Sequence, residues 1–279
     1  MGGPRGRRRP LPASGRGRPA RGRLDQGQPR AGLEPPGRLH RAHRADGRRR
    51  RQGPPALSPS DVPVVTLEGA VVSAAGYPLL AGVDLVVEPE TLTVVTGPNG
   101  AGKTSLLRLL GGLVGLSGGR AEVCGIDLAA GNRRALRRRV GWLGHEGSFY
   151  DDLSVRENLV FAARALERPL SAIDPALERV GLAGRSETSA RLLSAGQRRR
   201  LGLAWLLVRR AELWLLDEPY ASLDDEGRDF LDRLLADVVG AGATVVLSAH
   251  DPLRSSTLAP RTLAMAGGRV VGDVPGGRP

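Results

Sequence analysis

From Val62 onward the chain alternates short, dense apolar runs with longer segments of helical period. The apolar runs fall at residues 64–67, 83–87, 92–96, 140–143, 213–217 and 244–248. Runs this short and this rich in β-branched residues suit strands buried on both faces. Between them, a helix running to about Leu110 is predicted after the strand at 92–96, and residues 147–209 read as mainly helical. Ser154 and Glu157 stand three apart ahead of residues 158–166, the spacing at which each side chain can satisfy the other's free backbone N–H. Strands alternating with helices predict an α/β fold around a largely parallel sheet.

Residues 1–61 break this pattern. They have no apolar periodicity, and residues 1–60 hold ten of the 21 prolines and 16 arginines against three acids. The formal net charge of +12 therefore belongs to this tail, since the remaining residues carry 25 bases and 26 acids. Such a segment cannot bury enough surface to fold, so it is expected to be disordered, as is the short stretch 273–279, leaving a domain at 62–272. Arginine in this density would suit RNA phosphates or an acidic membrane. The tail has no aromatic residue to stack on bases, so no nucleic-acid partner is expected. The plainer alternative is a dispensable or untranslated leader, with translation starting at Val62 or Val64.

One cysteine, Cys124, cannot form an internal disulfide, and no charged segment followed by an apolar stretch and cleavage site opens the chain. A cytoplasmic setting is expected. The most apolar stretches, 106–116 and 201–208, fall short of the roughly 20 residues that span a bilayer, so any membrane crossing is left to another chain.

Residues 97–105 read GPNGAGKTS, a G-x-x-x-x-G-K-[ST] loop between the strand at 92–96 and the following helix. Gly97, Gly100 and Gly102 let the backbone turn tightly enough for successive N–H groups, with Pro98, Asn99 and Ala101 between them, to point at a phosphate. Lys103 supplies a compact ammonium to the β- and γ-phosphates, the Thr104 hydroxyl suits Mg²⁺, and Ser105 suits the α-phosphate. Lys103 is the only lysine among 41 basic residues. Arginine's planar fork cannot replace a point charge inside such a loop.

The loop alone says only that a nucleoside triphosphate is bound. The run 213–218, LWLLDE, is an apolar strand ending in two carboxylates. Asp217 is placed to hold Mg²⁺, through water, and Glu218 to polarise an attacking water as general base. Upstream, 193–197 reads LSAGQ. At this point the chain resembles the ABC transporter ATPases, whose signature is LSGGQ, with Ala195 in place of a glycine. The resemblance continues in order through ASLD at 221–224, similar to the loop that crosses the family's dimer, and His250, similar to its switch histidine. A lone histidine after a strand is ordinarily structural, and only its place in this order makes it a catalytic candidate.

The resemblance implies a P-loop ATPase with a RecA-like core, an antiparallel β lobe and a helical subdomain at about 147–209. It implies ATP and Mg²⁺, with Ser194, Gly196, Gln197 and Asp224 meeting nucleotide across a dimer. Each motif occurs once, so a complete site needs two chains head to tail, as a homodimer or with a related ATPase. Integral membrane permease subunits are the implied partners, docked beside residues 149–153, which puts the chain at the cytoplasmic face of the membrane.

Three departures stand out. The glutamine that touches metal in the family aligns with His145, within GWLGHEG at 141–147. Adenine would stack on an aromatic near Ala75, and the only aromatic close to that position is Tyr77. Trp205 replaces an arginine and is expected to pack. LSAGQ, the Gly144–His145 pair and LWLLDEPY at 213–220 resemble the ATP-binding subunit of the haem exporter of cytochrome c maturation. Export of a drug, lipid or peptide stays open, because cargo would not touch this chain. A soluble ABC protein acting in DNA repair or on the ribosome would carry a long coiled coil or a second cassette, and neither pattern is present.

Overall fold

The structure, a computed structural model, describes residues 62–144, 149–221, 223–250 and 259–276. The tail at 1–61 and His145 lie outside the described residues. In chain order the elements are β1 (Val65–Ala74), β2 (Tyr77–Val87), β3 (Leu92–Thr96), α1 (Lys103–Leu110), β4 (Gly118–Val123), β5 (Ile126–Asp127), α2 (Arg133–Arg139) and β6 (Val140–Leu143). They continue with α3 (Val155–Ala165), α4 (Ile173–Arg179), α5 (Ala195–Arg209), β7 (Leu213–Leu216), α6 (Asp225–Gly240), β8 (Thr244–Ser248), β9 (Arg261–Ala266) and β10 (Arg269–Val274).

The central sheet has the order β10-β9-β3-β8-β7-β6, parallel except for β10 at one edge. Three of its four inner strands, β3, β7 and β8, are buried at every residue, which is why they read as unbroken apolar runs. Successive side chains still point to opposite faces. Val94, Trp214, Leu216, Val245 and Leu247 pack with the helices α3 to α6, whereas Val95, Leu213, Leu215 and Val246 pack with α1 and a second sheet. That second sheet is antiparallel, in the order β2-β1-β4-β5. Helix α1, with Leu106, Leu107, Leu109 and Leu110 all buried, fills the space between the two sheets.

The helical layer begins with the anticipated pair of reciprocal bonds. Ser154 Oγ accepts from Glu157 N at 3.1 Å and Glu157 Oε2 accepts from Ser154 N at 2.8 Å. Helix α5 lies close on β6, because a Cβ on Gly202 would collide with a Leu143 methyl group. Strands β4, β5, β9 and β10 are not among the sequence predictions. β4 opens on Gly-Gly-Arg and β10 is mostly exposed, so neither shows a buried apolar run. β10 extends through Val274, two residues past the expected boundary at 272, and the Arg261–Asp273 ion pair at 2.6 Å ties it to β9.

Candidate functional site

Parallel strands put their carboxyl ends on one edge of the sheet, where open α/β sheets bind ligands. Because β8 lies between β3 and β7, three segments far apart in sequence meet there. They are the loop after Thr96, the carboxylates after Leu216, and the stretch from Ser248 to His250.

The loop is shaped by its glycines. Gly97 has φ 139° and a Cβ there would strike the Met265 carbonyl oxygen, while Gly102 has φ 105° and caps α1 with its backbone alone. Lys103, 6% exposed, donates from Nζ to the carbonyls of Gly97 at 2.7 Å and Pro98 at 3.2 Å. Its ammonium is therefore folded into the concave side of the loop. Asn99 to Ser105 line a cavity of about 330 Å³ with Pro78, Leu79, Glu218, Gly267 and Gly268.

A short chain of hydrogen bonds joins the three strand ends. Thr104 Oγ1 donates to Asp217 Oδ1 at 3.1 Å, and Ser248 Oγ donates to the same oxygen at 2.7 Å. Ser248 Oγ in turn accepts the N–H of Glu218 at 2.9 Å. Glu218 has φ 48°, the left-handed region that costs a non-glycine residue roughly 1–2 kcal/mol. His250 Nε2 lies 3.2 Å from Glu218 Oε1. Arg199, on the first turns of α5, donates to the carbonyls of Gly144 at 3.3 Å and Glu218 at 3.4 Å. Burial pulls its guanidinium below the usual arginine range, an effect opposed by the Asp217 and Glu218 carboxylates.

Ser194, Gly196, Gln197 and Asp224 are grouped elsewhere. They line a separate cavity of about 480 Å³ that shares no residue with the one beside the phosphate loop. Ser194 caps the 15-residue α5, accepting from Gln197 N at 3.3 Å, while Gln197 Oε1 accepts from Ser194 N at 3.0 Å. Asp224 caps α6 by accepting from Gly227 N at 2.9 Å. Ala195 and Gly196 are exposed at this helix start, so its free N–H groups face outward.

Residues 80–221, just over half of the chain, match the family described as ABC transporter. The chain belongs to the ABC transporter family. The cytochrome c biogenesis ATP-binding export protein CcmA of Salmonella typhi is 40% identical over 195 residues, which are 68% of this chain and 91% of that protein. The CcmA of Pseudomonas putida is 45% identical over 161 residues, 57% of this chain and 76% of that one. Among solved structures, CbiO1 from Clostridium perfringens, described as part of the ABC transporter complex CbiONQ, is similar with a TM-score of 0.68 at 25% identity, covering 76% of this chain and 88% of that one.

As an ABC ATPase this chain binds nucleotide and couples its hydrolysis to transport. Two of the family departures acquire a structural setting. Pro78 and Leu79 border the phosphate-loop cavity, whereas Tyr77 is 75% exposed and not part of its lining. Trp205 is half-buried and packs edge-on to Phe149, with centroids 6.4 Å apart, and beside Phe161 at 6.3 Å. Tyr150 and Phe161 form an edge-to-face pair at 4.8 Å, and both are about half exposed. Among the described residues no helix is long and apolar enough to cross a membrane.

Sequence reasoning passed over Arg199 and Ser248. Ser248 closes a strand and reads as its last polar residue, and Arg199 is one of three consecutive arginines with nothing to single it out. Only the sheet order shows what each touches.

Proposed function

We propose that this chain is the ATP-hydrolysing motor of a membrane exporter, working as a dimer that sandwiches two ATP molecules between opposed chains. One observation carries this reading: the phosphate loop and Glu218 line one cavity, with Asp217 bonded to Thr104 and His250 beside Glu218, while the signature residues open a different one. A single chain thus holds two half-sites, and a head-to-tail pair joins them.

The backbone amides of residues 97–105 cradle the phosphates, and Lys103 turns its ammonium from the loop carbonyls to the β- and γ-phosphate oxygens. Thr104 and Asp217 converge a hydroxyl and a carboxylate on one point, an all-oxygen pair that fits Mg²⁺, which takes few protein ligands and fills its shell with water and phosphate. His145 is the third candidate for that shell. Bound there, Mg²⁺ would neutralise charge on the β- and γ-phosphates. Glu218 accepts a proton from the attacking water, and His250 holds the Glu218 carboxylate from the other side. Ser194, Gly196 and Gln197 at the start of α5, with Asp224, meet the γ-phosphate bound by the opposite chain through free helix N–H groups.

The names of the CcmA relatives point to export in cytochrome c biogenesis, and haem is the cargo we propose. Permease subunits dock beside residues 149–153, where Tyr150 and Phe161 expose aromatic surface next to Trp205. In this reading the chain sits on the cytoplasmic face of the membrane.

Mixing two disabled variants tests the shared site. Lys103→Met and Ser194→Arg should each abolish hydrolysis in a homodimer. An equimolar mixture should regain up to about a quarter of parental activity, because half of the dimers hold one intact composite site. No recovery on mixing would rule out the head-to-tail homodimer. Deleting this chain in a cell that makes c-type cytochromes should abolish their maturation, and normal maturation would overturn the haem assignment.

A further inference from the structure

Among the described residues of the candidate site, glycines aside, Glu218 alone has a left-handed backbone, and its peptide groups are held from two directions. Its N–H is bound by Ser248 Oγ, itself completely buried and anchored on Asp217. Its carbonyl accepts from Ala221 N at 3.1 Å within the turn and from Arg199 Nη2 across the gap between α5 and β7. Arg199 differs from its neighbours in where it spends its donors. Arg198 pairs with Asp151 at the surface and Arg200 bonds the Val180 carbonyl and covers the Phe230 ring at 4.5 Å. Arg199 instead turns inward and bonds the carbonyls that follow β6 and β7.

We propose that Arg199 and Ser248 are positioning residues for the general base, clamping the Glu218 peptide from both sides and so aiming its carboxylate. The inference rests on the reading of Glu218 as that base and adds a second function for the signature helix. Helix α5 presents Ser194 to nucleotide at its tip and, one turn on, holds the base of its own chain through Arg199. The Gly144 carbonyl, on the same guanidinium, brings the end of β6 into that unit.

A left-handed glutamate has no intrinsic reason to stay where it is, so loss of either clamp lets the peptide relax and the carboxylate swing. A displacement of about 1 Å at a reacting group costs on the order of 100-fold in rate. Arg199→Met and Ser248→Ala should therefore each lower kcat by about 10–100-fold, with KM and ATP affinity changed by less than about 2-fold. Arg199→Lys, which reaches one carbonyl at a time, and Ser248→Thr, which keeps the hydroxyl, should recover part of the loss.

Two readouts separate positioning from general damage. In a Glu218→Gln background, Arg199→Met or Ser248→Ala should cost almost nothing further, because the group they aim is gone. In the nucleotide-free protein, backbone amide exchange at Glu218 should quicken in both variants by more than exchange at the amides of the central sheet. Additive losses in the Glu218→Gln background, unchanged exchange at Glu218, or KM rising in step with the fall in kcat would overturn the clamp. Should Glu218→Gln itself keep parental turnover, the reading of Glu218 as base fails, and the exchange measurement alone still decides whether Arg199 and Ser248 hold its peptide.

Discussion

Lys103→Met removes the ammonium and keeps most of the aliphatic stem. Without nucleotide, Nζ makes two hydrogen bonds to backbone carbonyls, at 2.7 and 3.2 Å, and sits 6% exposed. Hydrogen bonds from a charged donor contribute about 1.5–3 kcal/mol each. Taking an ammonium out of water costs several kcal/mol even after relaxation. The two effects nearly cancel, so the unfolding free energy of the nucleotide-free variant should lie within about 1 kcal/mol of the parent. A phosphate oxygen about 3 Å from Nζ changes that balance, since unit charges at this separation attract by about 5 kcal/mol at an effective dielectric near 20. Allowing for the carbonyl partners given up, about 3 kcal/mol remains, a loss of ~100-fold in ATP affinity. Titration calorimetry with ATP measures the second quantity and denaturant unfolding without nucleotide the first. Parental affinity in the variant would refute the phosphate-gripping role. A loss of more than about 2 kcal/mol in nucleotide-free stability would mark the lysine as a structural strut of the loop instead.

Glu218→Gln keeps the shape and hydrogen-bonding reach of the side chain but cannot accept a proton, so turnover should fall by about 10²–10⁴-fold while ATP binding persists. The variant should accumulate as an ATP-bound dimer on gel filtration, and normal steady-state phosphate release would remove Glu218 from the mechanism. Gly202→Val should cost roughly 1–3 kcal/mol by driving α5 off β6, read as a lower urea midpoint, and an unchanged midpoint would mean that the two elements separate freely. Burial pushes the Cys124 thiol up to about 12, against the opposing pull of Arg139. With the folded value raised, the thiol's contribution is complete below its unfolded value near 8.5 and is lost as pH climbs towards the folded value, at ~1.4 kcal/mol per pH unit. Cys124→Ala should flatten the alkaline fall in stability over that window, and an identical fall in both proteins would show that the thiol does not titrate there.

Much of the α/β plan was legible in the sequence because burial on both faces leaves a compositional mark. The strands at 92–96, 140–143 and 244–248 and the helix ending at Leu110 stand where the apolar runs predict them. The reciprocal bonds of Ser154 and Glu157 were equally legible, since capping depends on residues three apart and on nothing distant. Strands β4, β9 and β10 left no such mark. β4 and β10 alternate with exposed polar residues, and β9 is recognisable only through its pairing with β3.

The motifs by themselves determined the chemistry on offer: a glycine-rich loop with its lysine, an acid pair at a strand end, a capped helix start, and a histidine just after the strand at 244–248. Tertiary structure decided which of them meet. Inserting β8 between β3 and β7 sets Ser248 on both Asp217 and the Glu218 peptide, and the close seat of α5 on β6 carries Arg199 to the Glu218 carbonyl. The same topology keeps Ser194 and Gly196 in a cavity apart from Lys103. Strand order and helix seating are non-local, set by which faces bury against one another. They therefore surface only once the sheet is assembled.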